Sequence, residues 1–129
     1  MDHVDETLRI WRASDFERGS RDCLLSIADY VLLRDGVDHG AKYRGAYDDA
    51  TGADALIARD GGARAMIDAS GLSRVSESAR GDIVLVRVGR EEIAGICTGD
   101  GVAFRRARGV AEIAIKMLKV VAIWRCKNG

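Results

Sequence analysis

The sequence contains no proline, three cysteines, two histidines and four lysines in 129 residues. Without proline, a low-complexity linker or a repeat of fixed period, nothing divides the chain. Its length suits one domain, read here as residues 1–129 with residues 1–6 as a flexible N-terminus. The cysteines, Cys23, Cys97 and Cys126, are odd in number and lack Cys-X-X-Cys spacing. That argues against a disulfide framework and a four-thiolate zinc site, so reduced thiols are expected. No stretch approaches the roughly 20 apolar residues of a membrane span, and none is expected. Neither sign of charge is in excess: 20 basic residues face 20 acidic ones, so nothing global attracts the chain to nucleic acid or an anionic membrane. Sixteen of the basic residues are arginine, a skew that with abundant alanine and glycine reads as GC-rich coding. The start, Met1-Asp2-His3-Val4-Asp5-Glu6, is acidic where a secretion leader is basic, so synthesis without a leader, in a cytoplasm, is expected.

What is present falls in two halves. Leu8, Ile10 and Trp11 give Thr7 to Ala13 one apolar side, a short helix. Leu24, Ile27, Ala28, Val31 and Leu32 recur at spacings of three and four, which predicts a helix from Asp22 to Asp35. Ser20 or Asp22 is placed to cap it and Gly36 to end it. A polar connection follows to Tyr47. Thr51 is the expected cap of a further helix, Gly61-Gly62 breaks it, and Ala63 to Ala69 starts another. The period then changes. Asp82 to Val88 reads as a strand buried on both faces, followed by strands at Glu92–Thr98 and Gly101–Arg105 around a Gly99-Asp100 turn. Ile113 to Val120 suits either strand or helix, and Val121 to Cys126 closes the core with Trp124. Helices first and strands after predict an α+β fold, with N-terminal helices packed on a C-terminal antiparallel sheet.

Chemistry centres on Cys23. A thiol attacks as thiolate, and the first turn of a helix stabilises that anion through free N–H groups and the helix dipole. The segment Phe16-Glu17-Arg18-Gly19-Ser20-Arg21-Asp22-Cys23 resembles the nucleophile segment of the NlpC-type papain-like cysteine peptidases, which cut bacterial cell-wall peptides and have relatives in phage tails. Ala79-Arg80-Gly81-Asp82-Ile83-Val84-Leu85 resembles their first core strand, and Ala94 to Gly101 the strand and turn after it. The spacing, with Tyr43-Arg44-Gly45-Ala46-Tyr47, is similar to an uncharacterised phage and prophage family encoded among tail genes. The resemblance implies a papain-like fold over roughly Trp11 to Cys126.

In those peptidases a histidine opens the strand pattern His-Val-Gly-Ile. The matching stretch here is Ile93-Ala94-Gly95-Ile96, so Ile93 stands at the histidine position and cannot accept a proton. His3 lies in the acidic terminus. His39 follows the Cys23 helix, which carries the chain about 20 Å away. Cys23 is therefore read as a vestigial nucleophile position, a small apolar residue packed at a helix start. The resemblance implies a non-enzymatic component of a phage tail tip, hub or baseplate, docked on neighbouring tail proteins, in the host cytoplasm during synthesis and in the virion afterwards. Tyr43, Arg44 and Tyr47 are its candidate contacts. The alternatives are an active peptidase on cell-wall peptide, completed by His39 or a partner's base, and a tail-assembly chaperone absent from the finished particle.

Other clusters carry less. Arg105, Arg106 and Arg108 have only Phe104 as an aromatic neighbour and read as a solvated strand end. Asp48, Asp49 and Asp54 lack the alternation of a calcium loop and read as helix-start carboxylates. Gly99-Asp100-Gly101 and Asp60-Gly61-Gly62 are turns, not phosphate loops. No cofactor or metal is expected.

Overall fold

The switch from helical to alternating periodicity shapes the whole molecule. The computed structural model describes residues 2–14, 16 and 23–127. Helices α1 (His3–Ala13), α2 (Cys23–Asp35), α3 (Ala50–Arg59) and α4 (Ala63–Ala69) precede strands β1 (Ser73–Val75), β2 (Ile83–Val88), β3 (Glu91–Cys97), β4 (Gly101–Arg105), β5 (Val110–Ala114) and β6 (Lys119–Arg125). Short 3₁₀ turns occupy Ala41–Tyr43 and Ile115–Met117. The fold is α+β, with the strands in one antiparallel sheet in the order β1-β6-β2-β3-β4-β5.

The helices bury the apolar stripes that their spacing implies. On α1, Val4, Leu8 and Trp11 are buried; on α2, Ile27, Tyr30 and Val31 are. Helix α1 begins at His3, earlier than the Thr7 expected from the sequence. Asp2 caps it by accepting from the Asp5 amide at 2.8 Å, and Arg80 holds the Asp2 carboxylate from outside. Residues 3–6 are therefore helical, where a flexible terminus was expected. Asp49, not Thr51, caps α3 by accepting from the Gly52 amide. Gly36 closes α2 with φ +76°, its amide bonded to the Leu32 carbonyl. Ser20 and Asp22, the expected caps of α2, lie outside the described residues.

One face of the sheet meets the helices through Ile83, Leu85, Ala94, Ile96, Ala103 and Trp124. The other face, Val84, Val86, Cys97, Val102, Phe104 and Ile123, is buried, and among the described residues no residue of α1–α4 joins its cluster. Four strand spacings separate β5 from β6, about 19 Å in a flat sheet. Ile115 to Leu118 alone bridge them, and a 3₁₀ turn rises only about 2 Å per residue. The sheet therefore curls on itself, and Ile115 and Leu118 plug its concave side. A register shift between Leu85 and Val86 adds local twist to the β2–β6 pairing. Gly95 leaves no room for a side chain: a Cβ there would stand 2.6 Å from the Ala103 carbonyl oxygen and 2.7 Å from Val102 Cγ1.

Polar anchors fix the layers. Trp124, fully buried, donates from Nε1 to Asp68 on α4 at 2.8 Å, with Arg74 over its ring. Arg125 donates twice to the buried Asp82 carboxylate, at 3.0 and 2.9 Å. Tyr30 donates to the Gly81 carbonyl at 2.7 Å and accepts from Arg34. Arg105, expected as a solvated strand end, is only 4% exposed and donates to the Ser14 carbonyl at 2.8 Å. Its position on β4, beneath the end of α1, takes it inward, while Arg106 and Arg108 are exposed. Among the described residues no helix is long and apolar enough to cross a membrane.

Candidate functional site

Cys23 is the first described residue of α2. Helix α2 packs against β3. Leu24, the next residue, borders a groove of about 610 Å³ whose far wall is Ile93 and Ala94 on β3. The structure thus brings the start of α2 and the expected histidine position to one cleft. Ile93 pairs with Val86 and packs on the concave-side cluster. The titratable residues bordering the groove are Tyr47, Asp54, Arg87, Arg90, Glu91 and Glu92, and among the described residues no histidine borders it. Arg87 is paired with Glu92 at 3.2 Å. A carboxylate at the groove can hold a cation or accept a hydrogen bond; an isoleucine can do neither.

The histidines sit elsewhere. His3 borders a small cavity with Arg34 and Arg80 beside the start of α1. His39 is not at the remote end of α2, as the 20 Å helix length suggested. After Gly36 the chain doubles back along the helix, and Gly40 lies so close that a Cβ would come within 2.9 Å of Ala28 Cβ and Leu25 Cδ2. Arg44 secures the return, reaching Asp29 of α2 at 2.7 Å and Asp38 at 3.0 Å. The Asp38 carboxylate accepts from the Gly40 amide at 3.0 Å, which shapes the turn. His39 therefore borders a second, largely apolar cavity that Leu24 borders too. An Asp-X-Gly turn straight after a helix-ending glycine was the signal for this reversal. Sequence reasoning passed over it.

Tyr43 and Tyr47, half-buried, line the same apolar cavity, and the Tyr43 hydroxyl donates to the Asp60 carboxylate. Arg44 is engaged by two carboxylates of its own chain. Hydrogen bonding from Arg44 holds the Asp38 carboxyl below its ordinary range, whereas burial outweighs the same guanidinium at Asp29 and pushes that carboxyl up. Burial raises the Cys126 thiol to about 11, and Cys97 is buried in the concave-side cluster with its thiol directed to the Gly99 carbonyl at 3.4 Å. Both are free. No group of three or more histidine, cysteine or carboxylate residues able to hold a metal ion exists among the described residues.

Neither a curated protein nor a solved structure matches the chain. A family model does so over residues 1–126, nearly from end to end, and the chain therefore belongs to the family described as Domain of unknown function (DUF6950).

Proposed function

We propose that the chain is a non-catalytic, papain-like docking component of a phage or prophage tail tip or hub. One observation carries the non-catalytic part: Leu24, adjacent to Cys23, and Ile93 border the same groove, and Ile93, its side chain packed into the concave-side cluster, offers no general base there. Helices packed on a curled antiparallel sheet, with a cysteine opening the helix that meets it, support the papain-like reading. The tail assignment rests on the resemblance of the Cys23 and Tyr43–Tyr47 segments to tail-gene proteins.

Two measurements test it. Purified protein and its Cys23→Ala variant are incubated with peptidoglycan fragments, and both are expected to give the same background release. Turnover that depends on Cys23 overturns the non-catalytic reading. Mass spectrometry of purified tail particles is expected to detect the chain, and its absence from them overturns the tail reading.

The return of the chain along α2 favours one alternative, a cysteine peptidase completed by His39. In that case His39→Ala abolishes the Cys23-dependent release. If release survives the substitution, His39 is not the base.

A further inference from the structure

We infer that the apolar cavity beneath the Gly40–Tyr47 segment is a binding site for a small branched alkyl group, distinct from the groove at Ile93. The cavity measures about 80 Å³ and is walled by Leu24, Ala28 and Val31 of α2, Ala53 and Ile57 of α3, and Met66 of α4. It is half open to solvent, and apolar lining left unfilled there forfeits packing contacts. This void is held open by polar struts outside it. Arg44 braces the roof against Asp29 and Asp38, and Tyr43 braces it against Asp60. At Gly40 the roof comes so close to α2 that a Cβ would stand 2.9 Å from Ala28 Cβ.

The dimensions and chemistry define the occupant. An enclosed apolar cavity of about 150 Å³ holds a six-carbon benzene ring, so one near half that size, open on one side, suits the branched end of an alkyl chain, about three carbons, with the rest of the chain leading outward. Two of the hydroxyl-bearing residues on the lining are committed: Tyr43 to Asp60 and Ser70 to the Ile67 carbonyl. His39, half-buried, is the imidazole on the lining and marks where the polar end of the ligand emerges. Leu24, Tyr47, Ala53 and Ile57 border both this cavity and the groove, so they form the partition between the two.

The methionines provide the test. Met66 lines the cavity, while Met117 is 74% exposed on the turn between β5 and β6. With methyl-labelled methionine, titration of the whole chain with 3-methyl-1-butanol should shift the Met66 methyl resonance to saturation and leave Met117 in place. 1,5-Pentanediol, polar at both ends, should produce no saturable shift. Ala53→Leu fills the cavity and should weaken the alcohol by about tenfold or more. Leu56→Trp, a half-exposed lining position, is the second variant if Ala53→Leu does not fold, and carries the same expectation. Parallel, unsaturated drift of both methionines in the parent chain overturns the inference. So does unchanged affinity in whichever filling variant folds.

Discussion

Arg44 and Asp29 are 15 residues apart in the chain and 2.7 Å apart in space. That pair, with Asp38, decides where the segment after α2 goes and therefore which residues lie near Cys23. Its two carboxylates respond to pH with opposite signs. Asp38 is held below the ordinary carboxylate range by Arg44, so its contribution is complete above about pH 4 and is lost as pH falls through its folded pKa. Asp29 is raised by burial, so its charged form opposes folding and protonation relieves that cost as pH falls. Asp38→Asn is expected to lower stability at pH 7 by about 1 kcal/mol, a modest figure because all three side chains are partly exposed. Asp29→Asn should cost less. Urea unfolding at pH 7 and pH 3 checks both, and the stability gap between parent and Asp38→Asn should narrow at the lower pH.

The thiols should separate by reactivity. Cys126 stays protonated until about pH 11, and Cys97 is fully buried. The sequence pattern places Cys23 at a helix start, where a dipole favours thiolate. Brief iodoacetamide treatment at pH 8, followed by peptide mapping, is expected to label Cys23 well before the other two. Labelling led by Cys126 or Cys97 contradicts the burial described above.

Gly95→Ala should be among the most damaging single changes outside the anchors. A methyl group at that position would press into the Ala103 carbonyl and the Val102 side chain, both on the adjacent strand. The expected loss is about 3 kcal/mol, at the upper end for an overpacked site. Thermal unfolding measures it. A variant as stable as the parent would show that β3 and β4 are not so tightly apposed.

Asp68→Ala strands the indole N–H of Trp124 inside the core. The cost is expected at about 1–3 kcal/mol, the range for a buried donor left unpaired. Loss of the neighbouring Arg74 stacking geometry should also alter Trp124 fluorescence. Arg74→Ala, which leaves the indole bond intact, should cost less than Asp68→Ala. The reverse order would place the energy in the stacking.

Much of this architecture could be read from residue order. The stripes of α1 and α2 announce their buried faces, and the branched run Ile83–Val86 is buried as its composition implies. Strand β1 escaped notice because Ser73-Arg74-Val75 carries no apolar alternation; it is recruited by pairing with Arg125, Trp124 and Ile123. The stretch Ile113–Val120 resisted assignment because it is three things in succession: the end of β5, a 3₁₀ turn and the start of β6. Arg105 was misplaced because charge suggests solvent, and only the fold brings Ser14 over it. At the candidate site, sequence located Cys23 and Ile93 at their elements. It missed the return of His39 because helix length fixes where α2 ends, not where the chain turns next.

The order β1-β6-β2 has a consequence for how the protein is made. β6, which follows the other five strands in the chain, is an interior one, flanked by β1 on one side and β2 on the other. It carries Trp124 and the Arg125 grip on Asp82, and the Lys127 amide just beyond it bonds to Asp35 of α2. Until residues near 125 clear the ribosome, β1 has no neighbour and Ile83 and Leu85 lack the strand that completes their layer. A nascent chain therefore cannot acquire this fold domain-first from its N-terminus. Loss of Lys119–Arg125 would remove a strand from the middle of the sheet rather than trim its edge.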